Sequence, residues 1–166
     1  MELNFYISFV AALVPLVLGF IWYNPKVFGT AWMNVCGLTE EKLKGANMPV
    51  IFLLSYVLSV MLALAMYSIV IHQLGVFSTL IADESLMTEG SELNLYFADF
   101  MSKYGSNFRT FKHGVFHGAI AGIFIVLPIM ATNAMFERKG AKYIFINAGY
   151  WIVCFMLMGG IICAWA

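Results

Sequence analysis

Charge is what this chain has least of. Only 11% of its 166 residues are charged, against 62% that are hydrophobic. A soluble domain carries roughly 25% charged and 45–50% apolar residues. A water-facing fold of this size would therefore lack the polar groups to cover its surface. The nine basic and nine acidic residues cancel, and no basic stripe exists to neutralise phosphates, which excludes a nucleic-acid partner. Cysteine is sparse as well. Cys36, Cys154 and Cys163 are odd in number and lack a paired short spacing, which argues against a disulfide framework or a zinc ribbon. Cys154 and Cys163 lie in an apolar block and read as small packing residues. The chain contains no G-x-x-x-x-G-K-[ST] phosphate loop, G-x-G-x-x-G, G-x-S-x-G elbow or C-x-x-C-H haem site. No Asp, Glu, Lys or Arg lies deep in an apolar block, so the buried carboxylate of an ion-coupled pump is missing. The chain is also too short to hold the inverted repeats of a common secondary transporter by itself. No catalytic residue and no organic cofactor is assigned, and enzymatic activity is not expected.

What the chain does have is four long apolar blocks, the pattern a bilayer selects. They predict an all-α polytopic integral membrane protein with four transmembrane helices, over about 4–23, 49–74, 111–136 and 141–165. Each is close to the roughly 20 residues that span a hydrocarbon core of about 30 Å. Pro15 and Pro128 should bend the first and third helices, because proline removes a backbone donor. The first block is expected to be a retained helix: Met1–Asn4 hold no Lys or Arg, and Phe5–Tyr23 is longer than a signal core. Loop one, 24–48, should hold a short polar helix capped by Thr39 and stopped by Gly45. Loop two, about 75–110, is long and acidic, with Asp83, Glu84, Glu89, Glu92 and Asp99. Within it Leu93, Tyr96, Phe97, Phe100, Met101 and Tyr104 recur at helical spacing, predicting a short amphipathic helix on the membrane surface. The sharper alternative is a lid over the bundle. Loop three is the short charged run Glu137–Gly140, which makes the last two helices an antiparallel hairpin. Lys26, Lys42, Lys44, Arg138, Lys139 and Lys142 fall on one side; only Lys103, Arg109 and Lys112 fall on the other. By the positive-inside rule, loops 24–48 and 137–141 are cytoplasmic, and the termini and loop 75–110 are outside.

Three constellations stand out. His72 falls near the outer end of the second helix, and His113 and His117 lie one turn apart at the outer start of the third. Imidazoles so spaced can bind zinc or copper, or relay protons. Ordinary interhelical hydrogen bonding is the simpler reading, since Gly114 stands where H-E-x-x-H would need Glu. Second, Gly114, Gly118 and Gly122 repeat every four residues, a stripe that lets another helix approach closely. Ala121, Pro128 and Thr132 fall near the same line. The partner is a helix of this chain, with Gly159 and Gly160 as the meeting point, or a second subunit. Third, Trp22, Tyr23, Asn24, Asn133, Glu137 and Asn147 form a polar–aromatic belt at the cytoplasmic side. Asn133 and Asn147 are each seven residues from Gly140 and so share a depth, and both are expected inside the bundle. The functional alternative is a small polar cavity rimmed by Trp22, Tyr23, Trp32 and Glu137.

The segments Gly19-Phe20-Ile21-Trp22-Tyr23-Asn24-Pro25, Phe28-Gly29-Thr30-Ala31-Trp32-Met33, His113–Gly118, Asn133–Arg138 and Ile146–Tyr150 together resemble the bacterial membrane family called domain of unknown function 1761. The resemblance covers nearly the whole chain. It implies a small four-helix protein of the bacterial inner membrane and supplies no activity, substrate or catalytic residue. The leading expectation is a non-enzymatic accessory or scaffold subunit that contacts other membrane proteins or itself. The alternatives are a subunit of an oligomeric transporter or channel, and a membrane metal or proton site on the outer histidines.

Overall fold

The computed structural model describes residues 3–166. Among them the fold is all helical. Helix α1, Ile7–Trp22, and helix α2, Pro25–Cys36, meet at a bend of 58°. Helix α3 is the short Glu40–Lys44. Helix α4 covers Met48–Val70 and α5 covers Gln73–Leu80. A 3₁₀ turn at Glu84–Met87 leads to α6, Glu92–Tyr104. Helix α7, Phe111–Phe136, and helix α8, Ala141–Trp165, complete the chain. Among the described residues three helices (α4, α7 and α8) are long and apolar enough to cross a membrane; the bent pair α1–α2 makes a fourth if it counts as one span.

Sequence explains the ends. Asn47 accepts from the Val50 amide and Pro49 sits in the first turn of α4, where a missing N–H costs nothing. Thr39 caps α3, Ser91 caps α6 and Thr110 caps α7, each accepting a backbone amide. Gly37 ends α2 with φ +68°, the left-handed cap that suits glycine. Asp83 caps the 3₁₀ turn, and hydrogen bonds from the Ser85 side chain and amide hold its carboxyl below the usual carboxylate range.

Helix α8 is the axis of the bundle. Cys154, Met158, Ile162 and Cys163 on it are fully buried, and they pack with Ala11, Ala63, Met66, Val70 and Ile71. On α7, added Cβ atoms at Gly114 and Gly118 would strike the backbone of Gly159 and Phe155, and one at Gly122 would lie 2.8 Å from Ile152 Cα. The glycine stripe therefore faces α8 of the same chain, with Gly114 against Gly159, while Gly160 lies under the Phe111 ring. The N-terminal end of α1, residues 71–110 and the C-terminal end of α8 share one end of the bundle: Tyr67 Oη donates to Asn4 O at 2.8 Å and Arg109 Nε donates to Cys163 O at 2.9 Å.

Two expectations need correction. The second helix does not continue to 74; it stops at Val70, where Ile71 turns extended (φ −110°, ψ 95°), and α5 starts afresh at Gln73. Ile71 is fully buried, so burying this side chain holds the break. The third helix carries a π-bulge at Gly122–Val126, directly before Pro128. The bulge absorbs the widened ladder that proline imposes and turns the following residues by about 100°. Pro128, Thr132 and Asn133 consequently face outward, and Ala134 takes the buried position.

Candidate metal centre

Helix α7 carries two faces one residue out of phase. Gly114 and Gly118 press on α8, and His113 and His117, each one position earlier, lie about 100° around toward α4. Thr110 Oγ1 accepts the His113 amide at 3.3 Å, placing that histidine in the first turn. The break after Val70 releases His72 from α4 toward the same space. The three imidazoles meet there, with one ring nitrogen from each within 4.8 Å of the others. His72 Nε2 and His113 Nε2 are 2.8 Å apart. Ring centroids lie 4.9 Å (His72–His113), 4.8 Å (His72–His117) and 4.5 Å (His113–His117) apart. His72 is exposed and the other two are half-buried. Phe108, itself at φ 62°, stands 5.1 Å from the His113 ring and 6.2 Å from the His72 ring.

At 2.8 Å one of the two nitrogens donates and the other accepts. A metal ion needs both lone pairs. Zinc–nitrogen bonds of about 2.0–2.1 Å in a tetrahedron put the nitrogens about 3.3 Å apart, so an ion replacing the shared proton opens the pair by roughly half an ångström. Rotation of the rings about their side-chain bonds would have to supply that, and to draw in nitrogens now up to 4.8 Å apart. Three neutral nitrogen donors suit Zn²⁺, Cu or Ni²⁺ and not Mg²⁺ or Ca²⁺, and they leave a fourth position open.

The surroundings of this group were not legible as site residues. Gln73 is only 5% exposed. Its Nε2 donates to Tyr104 O at 3.2 Å and to Asn107 O at 2.9 Å, while its Oε1 is buried without a partner among the described residues. An acceptor left so costs about 1–3 kcal/mol. A cavity of about 400 Å³ lined by His72, Gln73, Phe100, Tyr104 and Phe108 lies beside the triad. Helix α6 forms one wall. Its Leu93, Phe97, Phe100 and Met101 are half-buried, the Phe97 ring lies tilted against Phe77 with centroids 6.0 Å apart, and Tyr96 is exposed. The polar residue directly after His72 was the only signal in the sequence.

At the other end, the polar–aromatic residues serve helix packing. Trp22 Nε1 donates to Ile146 O at 3.1 Å, Tyr23 Oη donates to Asn147 Oδ1 at 3.1 Å, and Asn147 Nδ2 donates to Tyr143 O at 2.9 Å. Tyr150 Oη donates to Pro15 O at 2.6 Å. Asn24 caps the turn at Pro25. Asn133 and Glu137 are exposed and stay apart from this network. Asn133 therefore does not join Asn147 inside the bundle, because the π-bulge turned it away. The cavity at this end is about 610 Å³ and includes Tyr23, Asn24 and Trp32, but its walls are mainly apolar, from Leu16, Phe20 and Phe52; neither Trp22 nor Glu137 lines it. Tyr23→Phe removes one half-buried bond and is expected to lower unfolding free energy by about 0.6 kcal/mol, read as a small fall in the midpoint of thermal unfolding in detergent.

No curated protein and no solved structure matches the chain. A family model does, over residues 7–163, and the chain thus belongs to the family described as Protein of unknown function (DUF1761).

Proposed function

We propose that this chain is a four-pass integral membrane protein whose working centre is a three-imidazole site for one transition-metal ion, Zn²⁺ or Cu, at the outer end of the bundle. The convergence of His72, His113 and His117 within 4.8 Å, across 41 residues of chain between the first two, carries the reading. Two imidazoles one turn apart on one helix face arise readily from packing alone; a third ligand delivered by a helix break on a different element does not. The bilayer is supported by what the fold leaves uncovered. Phe124 is 74% exposed, Phe136 84%, Leu53 63% and Met61 62%, a surface that suits lipid and not water. Counting α1–α2 as one bent pass makes four. The surplus of Lys and Arg in 24–48 and 137–142 then favours a cytoplasmic position for those loops, with the triad outside, as in a bacterial inner membrane. The accessory, scaffold and transporter-subunit readings relied on the glycine stripe as a contact surface. Its engagement by α8 leaves the metal reading better supported.

The test is a titration of chelator-stripped, detergent-purified protein with Co²⁺. The expected result is one equivalent bound, with the visible absorption of a four-coordinate nitrogen site, displaced by Zn²⁺. Absence of such absorption at millimolar Co²⁺ would sink the proposal.

A further inference from the structure

We propose that Gln73 is the positioning residue of this metal site. The inference rests on the metal reading above and names what sets its geometry. The three ligands come from two chain segments, one at 72 and one at 113–117. Their separation is decided where the turn before α7 meets the break after α4. Gln73 Nε2 grips that turn through Tyr104 O and Asn107 O, at 3.2 and 2.9 Å. Both acceptors are carbonyls, so the amide nitrogen must face them and the amide orientation is determined. Tyr104 O already accepts from the Asn107 amide at 3.0 Å, so the Gln73 bond there adds register and does not rescue an unpaired group. The other amide atom, Oε1, stays buried and unpartnered among the described residues, so this side chain serves the turn at the expense of its own hydrogen bonding.

Cys163 on α8 holds the same turn from behind. Its Sγ lies 3.3 Å from Val70 O and 3.2 Å from Phe108 O. His72 thus sits between two residues, Val70 and Gln73, that are both tied to the segment leading into His113. Phe108, the ring against both histidines, is part of that segment. The bonds from Gln73 and Cys163 hold His72 in register with His113, and the 2.8 Å nitrogen pair follows.

The experiment replaces Gln73 with methionine, which keeps length and removes both donors, and in parallel makes Cys163→Ala. Circular dichroism and size exclusion in detergent report folding. Imidazole ¹⁵N NMR of the metal-free protein reads the proton shared by His72 and His113, and Co²⁺ titration reads affinity. In Gln73→Met the shared-proton signal is expected to vanish and the Co²⁺ dissociation constant to rise 10- to 100-fold; Cys163→Ala should move both in the same direction. Folded variants that keep the signal and bind Co²⁺ within twofold of wild type overturn the proposal. If wild type binds no Co²⁺, the metal reading fails, and the NMR signal alone decides whether Gln73 sets the spacing. If Gln73→Met does not fold, Cys163→Ala carries the decision.

Discussion

Gly118→Leu should yield no monodisperse protein after detergent extraction. A Cβ at this position meets Phe155 C at 2.6 Å and Met156 Cα at 2.8 Å. Those are backbone atoms of α8, so no rotamer change relieves the clash; the two helices must separate. Separation strips the contacts of the most buried helix in the fold, whose Cys154, Met158 and Ile162 have no exposure at all, so the loss is expected at or above the upper end of the roughly 1–3 kcal/mol usual for overpacking. Gly19→Ala serves as the control, because its Cβ would find only Tyr150 Oη at 3.5 Å, an ordinary contact. That variant should purify like wild type. Size-exclusion profiles of the two, side by side, check the prediction; a well-folded Gly118→Leu would mean that α7 and α8 are not packed as described.

Each single substitution His72→Ala, His113→Ala and His117→Ala should weaken Co²⁺ binding by about 100-fold, equivalent to about 2.8 kcal/mol, while leaving the bundle intact. Stability is spared because His72 is exposed and the others are half-buried, so little apolar contact is lost. The alternative, that the rings merely hydrogen-bond between helices, makes a different forecast. Under it His72→Ala and His113→Ala would each lower the thermal midpoint through loss of the 2.8 Å pair, and His117→Ala would change little. Measuring affinity and midpoint on all three variants separates the two cases, since only ligation makes them equivalent in metal binding.

Glycine and histidine share one cause on α7. A four-residue repeat keeps side chains on one face of a helix, and here two such repeats run one position apart. Close approach of α7 to α8, possible only without Cβ atoms, is what lets the first turn of α7 come near the break after α4. A change in the stripe would therefore damage the triad without touching a histidine.

The chain's poverty of charge and its long apolar blocks were enough to specify helices, their approximate extents and their order, because hydrophobic periodicity and end signals such as Thr39, Asn47, Ser91 and Thr110 act locally. The pairing of His113 with His117 was likewise local. What the tertiary structure alone decided was rotation and meeting. The π-bulge at Gly122–Val126 turned Asn133 out and Ala134 in, a one-residue shift that no composition pattern records. The stop at Val70 depended on burying Ile71 against other helices, and it is this stop that brings His72 to the pair. Gln73 and Cys163 acquired their roles only through carbonyls more than 30 residues away. Local preference is written in neighbouring residues; the contacts that assemble the centre exist only once distant segments have packed.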